Sequence, residues 1–589
     1  MASDPLPFIS RRSTVYGTEG MVACPHPIAA QIGAEILKKG GNAADAAVAV
    51  AAALNVVMPG STGIGGDASC LFYNSKSCKV TGLNGTGRAP AMLTLDYLRQ
   101  KAGITGLTIP IENIHGAIVP GAAAAWVDTV ELFGSGKIDL ATLFQPAIDL
   151  AENGFPVSPI VAKGWKGLEP RLKKTGNGKS TMLIDGIRSP EEGEMMYLPD
   201  LAKTFKTVAE HGKNGFYKGP IADAIVNSIQ SRGGLLTHED LASHKSEIIE
   251  PISIDYHDYT LWEMPPNSQG ITALIALGII RALEEEHGLD FSKIEHHSAE
   301  YLHLIIEAMR IAFADTRYYV TDPQVHSTAV PIDMLLSKSY LSQRAKLVNL
   351  KKRNNKLKKG HPEQDSNTVY FCVVDREGNA CSFIVSIENL VYCNCQDQSC
   401  IVPDGWGFVI HSRGSGFILI DDHPNCVGPK KRPNSTLIPP MLTRKTSSGK
   451  HELEICFGIM GSFQQPQGHV QMLMNLLNYH ANPQHAVDLP RICITPPKSE
   501  QSHLSSLLKL FTDMNTSIVY IENGIDPKVV KKLTSMGHTC YLTKDRSFFG
   551  RAQIIRVYKD DRTGKRILAA GSDPRADGQA APIVITSKL

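Results

Sequence analysis

The chain of 589 residues is 42% apolar and carries 60 Lys and Arg against 58 Asp and Glu, a formal net charge of +2. A chain of that size can bury a large core, and so balanced a charge excludes bulk attraction to nucleic acid or to an anionic membrane surface. The opening MASDPLPFISRRSTVYG holds no apolar stretch of signal-peptide length, and no run of about 18 apolar residues follows, so the expectation is a soluble globular protein that is not secreted and spans no membrane.

From residue 20 to about 345 helical and extended patterns alternate. Ile28, Ile32 and Ile36 recur at helical spacing after Pro27, and GNAADAAVAVAAAL reads as an alanine-rich helix with Asn42 near its start. Leu302, Ile305, Ile306, Met309 and Phe313 form a stripe at helical spacing that should face a core. Between about Arg344 and Ser366 the chain turns to RAKLVNLKKRNNKLKKGHPEQDS. Without interleaved aromatics this predicts a solvated helix or a mobile linker, not a nucleic-acid surface.

From Thr368 onward the runs VYFCVVD and ACSFIVSI read as strands, separated by turn residues at Asp375 to Asn379. Twelve cysteines scattered over the chain make no disulfide framework and are read as reduced thiols. Cys393, Cys395 and Cys400 could take Cys426 or His411 as a fourth zinc ligand, but their spacing lacks a paired knuckle, so a variable loop is expected and no metal or cofactor. The last residues, Ser587, Lys588 and Leu589, spell the tripeptide read by the peroxisomal import receptor, which makes the expected location cytoplasmic or peroxisomal if the source is eukaryotic. These patterns give mixed α/β structure with two lobes.

Thr368 carries the chemistry. A threonine hydroxyl is a poor nucleophile near neutrality, but a free α-amino group, with a pKa of roughly 7.7–8, can serve as its general base within the same residue. That amine exists only once the bond between Asn367 and Thr368 is cut. Attack of the Thr368 hydroxyl on the Asn367 carbonyl gives an ester that water hydrolyses, so the chain would activate itself.

Around Thr368 and across nearly the whole chain, the sequence resembles the gamma-glutamyltransferase (glutathione hydrolase) family of N-terminal nucleophile hydrolases. The resemblance rests on GGNAADAAVA (Gly40 to Ala49), PGSTGIGGD (Pro59 to Asp67), VPGAAAAW (Val119 to Trp126), PPNSQG (Pro265 to Gly270) and EAMRIAFADTRYYVTDP (Glu307 to Pro323). It continues through RPNSTLIPPM (Arg432 to Met441), GIMGSFQQPQGHVQ (Gly458 to Gln471) and DPRADGQA (Asp573 to Ala580). It implies a four-layer αββα sandwich built from a large fragment, 1–367, ending in a mobile basic linker at about 344–366, and a small fragment, 368–589.

The resemblance also implies a site. Thr368 would be nucleophile and base, the backbone N–H groups of Gly461 and Ser462 would bind the oxyanion, and Ser386 would stand where the family has a threonine hydroxyl beside the nucleophile. Ser435 and Thr436 match the hydroxyl pair that contacts the substrate carboxylate. Two features depart from the family: Ser462 replaces the second of two glycines, and Gly416 occupies the position of the acidic residue that holds the substrate ammonium. Arg88 lies two positions from the usual carboxylate-binding arginine, so Arg88 and Arg413 are the candidates for that contact, since a guanidinium forks onto two oxygens.

The expected function is therefore a self-processing threonine hydrolase that cleaves γ-glutamyl amide bonds through an acyl-enzyme, with water or an amine as acceptor. An amidase for glutaryl or related side chains is the alternative that makes Gly416 unremarkable, and a non-catalytic relative acting in binding is the third.

Overall fold

The computed structural model describes residues 12–174, 182–325, 330–357, 368–387, 400–495 and 514–584. Asn367, residues 358–366 of the basic segment, Cys393, Cys395 and the C-terminal tripeptide lie outside the described residues.

Two seven-stranded antiparallel sheets lie at the centre. In one, the spatial order is Gln579–Pro582, Met21–Cys24, Thr368–Val374, Ala380–Ser386, Asp67–Asn74, Lys79–Gly85 and Glu247–Ile249. In the other it is Val15–Gly17, Arg566–Ser572, Arg551–Lys559, His451–Met460, Met441–Lys445, Tyr259–Glu263 and Ile252–Tyr256.

Every residue of Thr368–Val374 and Ala380–Ser386 is buried. A near-continuous apolar run suits that position, because both faces of the sheet are covered. The helix Ala43–Val57 packs on one face of these strands, and His451–Met460 packs against the other. On the far side of the second sheet lie the helices Gly270–His287 and Gln464–Leu473, with Ala299–Tyr319 packed outside the former. The result is the expected αββα sandwich.

Local sequence accounts for the helices that position the site. All fifteen residues of Ala43–Val57 are buried, and small alanines let the helix lie close to the sheet. Its start is fixed by a capping box: the Asn42 side chain accepts from the N–H groups of Ala44 and Asp45, and Asp45 accepts from the N–H of Asn42. Such a cap stabilises a helix by about 1 kcal/mol. The stripe Leu302, Ile305, Ile306, Met309 and Phe313 is buried as expected. In Pro27–Lys38, however, the inward face is Ala29, Ala30, Gly33, Ala34 and Leu37, with Ile36, while Ile28 and Ile32 are only half-buried.

The basic segment differs from a mobile linker over its described part. Arg353 donates to the carbonyls of Asn515 at 2.6 Å and Gly537 at 3.2 Å, and the Asn354 N–H donates to Glu307 at 2.8 Å. Glu307 is itself buried and paired with Arg310. Buried ion pairs of this kind need partners on all sides, and the backbone of 344–357 supplies them.

Both sheets draw strands from before and after Thr368. Thr368–Val374 pairs with Ala380–Ser386 along its whole length and with Met21–Cys24 at Cys372, Val373 and Val374. Neither side of the 367–368 junction therefore holds a complete sheet. Chain cut at that junction is expected to run as one species in native size-exclusion chromatography and to separate only in denaturant. Elution of two folded fragments without denaturant would contradict the interleaving.

Candidate active site

Three strands bring Thr368, Ser386 and Asp67 side by side. Thr368 is in register with Ser386, and Ser386 is in register with Asp67 on its other side. All three are buried. The loop before Asp67 reaches this end of the sheet because Gly66 has no side chain: a Cβ there would lie 2.2 Å from the Ser386 carbonyl oxygen.

Asp67 is the anchor of this corner. Its Oδ1 accepts from the N–H groups of Gly87 at 2.8 Å and Gly121 at 3.2 Å. Its Oδ2 accepts from Arg413 Nε at 3.2 Å and lies 3.3 Å from His411 Nδ1. Burial pushes the carboxyl pKa up, but His411, Arg413 and the Gly87 N–H outweigh it, so the group is held below the usual carboxylate range. A charged, fully bonded carboxylate thus fixes the segments 85–88, 119–122 and 411–416 against the end of the sheet where Thr368 lies.

Gly461 and Ser462 leave the strand His451–Met460 and lead into the buried helix Gln464–Leu473, whose first N–H groups donate to the carbonyls of Gly461 at 2.9 Å and Ser462 at 3.0 Å. Gly461 has φ +120°, and a Cβ there would lie 2.9 Å from Gly550 Cα. Ser462 has φ +49°. A serine in this left-handed region costs roughly 1–2 kcal/mol, which a glycine at that position would not.

The two sheets meet near this turn. Gly458 makes room for the Tyr370 ring, since a Cβ there would lie 2.5 Å from it, and the Tyr370 hydroxyl is 2.8 Å from Ser382 Oγ. At about 3.3 Å per residue, Thr368 and Gly461 lie roughly 7 and 10 Å along their strands from that contact.

A second polar cage joins three loops. The Asn84 side chain donates to Asn267 Oδ1 at 3.0 Å, and Asn267 Nδ2 donates to the Pro433 carbonyl at 2.7 Å. Ser435 sits between residues 267 and 269: its N–H donates to the Asn267 carbonyl at 2.9 Å, and its own carbonyl accepts from the Gln269 N–H at 3.0 Å. Its hydroxyl accepts from the Leu437 N–H at 3.2 Å, a local turn bond that leaves the hydroxyl hydrogen to donate. Thr436 is buried beside it.

The arginines take different positions. Arg413 is fully buried on Asp67. Arg88 Nη1 donates to Asp322 at 2.9 Å and to the Lys430 carbonyl, and its Nη2 donates to Glu247 and Gln324, each at 2.8 Å. Arg432 shares Glu247, at 2.7 Å. Arg88 thus stands in an ion-pair network with its Nη groups already committed. Gly416 offers no side chain, and its carbonyl accepts from Asn425 Nδ2 at 2.7 Å. Of the cysteine-rich segment only Cys400 is described, a buried thiol whose pKa burial pushes up to about 11.

Asp67, Asn84, Asn267 and Arg432 were not singled out from the sequence, although each lies in a conspicuous Gly-, Pro- or Asn-rich stretch. Asp67 closes GIGGD, and an aspartate ending a glycine run is the signal that could have marked it.

The sequence model of gamma-glutamyltranspeptidase matches residues 29–583. The glutathione hydrolase-like YwrD proenzyme of Bacillus subtilis (strain 168) is 34% identical over 574 residues, covering 97% of this chain and 99% of that protein. The crystal structure of cephalosporin acylase from Bacillus halodurans is similar with a TM-score of 0.84 and 36% identity, covering 100% of both chains. The Helicobacter pylori gamma-glutamyltranspeptidase structure gives 0.51 and 31% identity over 55% of this chain and 90% of that one.

The Asp67 geometry sets a pH test. Because the folded carboxyl ionises more readily than the unfolded one, its stabilisation is complete above the unfolded value of about 3.9 and is lost as pH falls through the lower folded value. Asp67→Asn is expected to lower stability at pH 7 by about 3–5 kcal/mol, the range for breaking a buried pair. Its deficit against wild type should shrink in calorimetric melts near pH 3, and a deficit independent of pH would show that the charge is not what matters.

Proposed function

The chain belongs to the gamma-glutamyltranspeptidase family, and from that premise we propose that it is a self-processing N-terminal threonine hydrolase and acyltransferase acting on amides of carboxylate-bearing acyl groups. The observation that carries this reading is Thr368 at the head of a central buried strand, in register with Ser386 and next to the charged Asp67 corner.

Maturation begins with the Thr368 hydroxyl. Its oxygen attacks the Asn367 carbonyl carbon, the C–N bond to Thr368 breaks, and the nitrogen leaves as the free amine on the same residue. Water then hydrolyses the resulting ester, returning the hydroxyl and releasing the Asn367 carboxylate. In turnover the amine takes the hydroxyl proton as the oxygen attacks a substrate amide, and passes it to the departing amine. The acyl-enzyme is resolved by water or by an acceptor amine.

Each step develops charge on a carbonyl oxygen. The backbone N–H groups of Gly461 and Ser462, at the start of the helix Gln464–Leu473, are assigned to it, where the positive helix end adds to their effect. The Ser386 hydroxyl is assigned to the Thr368 oxygen and the Ser435 and Thr436 hydroxyls to the acyl carboxylate. Arg413 contributes charge from behind Asp67. The commitments of Arg88 argue for a supporting role in its ion-pair network in place of a direct grip on substrate.

A second substrate reading has its own support. At Gly416 there is no carboxylate for a substrate ammonium, and a hydrogen bond to such a group is worth about 1.5–3 kcal/mol. Together with the likeness to a cephalosporin acylase, this favours glutaryl-type acyl groups over strict γ-glutamyl selection. Binding without catalysis, the remaining alternative, predicts a single uncut chain.

A denaturing gel of purified protein tests the reading: two bands are expected, the smaller starting Thr-Val-Tyr-Phe on N-terminal sequencing. Thr368→Ala should leave one uncut, inactive chain, and processing or turnover in that variant would remove Thr368 as the nucleophile. In a eukaryotic cell, with Leu589 as the chain terminus, an N-terminally tagged protein should colocalise with a peroxisomal marker and lose that location when Ser587 to Leu589 are deleted. Cytosolic signal from the undeleted protein would show that the tripeptide is not read.

A further inference from the structure

The segment PPNSQG holds two polar side chains that neither the fold nor the chemistry above uses. Ser268 is fully buried and Gln269 is 7% exposed. The Ser268 Oγ and Gln269 Nε2 atoms are both buried and, among the described residues, without a hydrogen-bond partner. A buried donor left unmatched forfeits its bond to water without replacement, so an arrangement that keeps two of them in adjacent residues suits an occupant that satisfies them.

Their position says what kind of occupant. Residue 268 forms a parallel bridge with Ser435, and the Gln269 N–H donates to the Ser435 carbonyl at 3.0 Å. Both residues therefore flank the hydroxyl pair assigned to the acyl carboxylate. The backbone on either side is held: Asn267 is tied to Asn84 and Pro433, and the helix Gly270–His287 begins at the next residue. A carboxamide nitrogen donates two hydrogens and accepts none, which suits a carboxylate.

We propose that Gln269, with Ser268 beside it, is a specificity-determining residue that donates through its carboxamide to the terminal carboxylate of the acyl chain. The inference rests on the reading of Ser435 and Thr436 as carboxylate contacts. It requires neither Thr368 chemistry nor turnover. The class of ligand is a linear dicarboxylic acyl group, bound through the carboxylate distant from the reacting carbonyl.

Glutarate and butyrate, which differ by that terminal carboxylate, separate this role from a structural one. Calorimetric titration of the full-length purified protein should show glutarate binding weakened ten- to a hundred-fold by Gln269→Ala, the range for losing a hydrogen bond to a charged group. Butyrate binding should stay within about twofold. Gln269→Glu keeps the size and places a negative charge at the same position, so it should weaken glutarate further than Gln269→Ala does. Equal weakening of both ligands by Gln269→Ala, unchanged glutarate binding in both variants, or no glutarate binding by wild type would each overturn the proposal. A processed, active enzyme with any of these results would refute the Gln269 assignment alone. An unprocessed chain that still shows the expected glutarate pattern would refute the Thr368 reading alone.

Discussion

The candidate site depends on one buried carboxylate. Asp67 draws its bonds from positions 20, 54 and 346 residues away in sequence, so four separate stretches of chain meet on a single side chain. Burying such a charge is tolerable only because each oxygen is bonded, two partners are positively charged or can be, and two are fixed backbone donors. The carboxylate is placed by the same strand end that sets Ser386 and Thr368 in line. Its bonds hold the loop carrying Gly416 and the loop carrying Arg88 at fixed distances from the nucleophile strand. The loops of Gly416 and Arg88 and the strand of Thr368 are thus coupled through a single carboxylate.

The interleaved sheets place a constraint on folding order. Pairings such as Cys372 with Ala23 and Ala580 with Ala23 close loops of hundreds of residues, and long-range strand pairing of this kind forms slowly. A strand from the far half of the chain lies at the middle of the sheet. Under the proposed self-processing it has to be in place before the bond at its head can be attacked, so the covalent link across residue 367 would serve assembly first. Once the sheets have formed, that link contributes little to holding them, because ladders such as Ala380–Ser386 with Asp67–Asn74 and Met441–Lys445 with Tyr259–Glu263 cross the junction.

Local rules made much of this legible. The start of Ala43–Val57 follows from Asn42 and Asp45, the core face of Ala299–Tyr319 from the spacing of its apolar residues, and the strand at Thr368 from a run of β-branched and aromatic side chains. The positive φ at Ser462 follows from a serine standing in for a glycine. What escaped was whatever depends on a distant partner. Arg88 looked available because Glu247 and Asp322 lie 159 and 234 residues on, and the Lys- and Arg-rich stretch looked mobile because the carbonyls that receive Arg353 come from residues 515 and 537. In Pro27–Lys38 the isoleucine spacing suggested the buried face, whereas the close helix–helix contact selected the small residues.

One feature of the nucleophile strand bears on how the amine is held. Met21–Cys24 is in register with Cys372, Val373 and Val374 at the rear of Thr368–Val374, while Ala380–Ser386 pairs with that strand along its whole length. Chain ends ordinarily fray because they sit at the periphery with nothing behind them. Under the proposed cut before Thr368, the new end would project from a segment whose rear is clamped on both sides, and the amide hydrogens there should exchange with solvent only when the whole protein opens. An amine freed at Thr368 would therefore be held like a tool in a vice, by a strand gripped at the back.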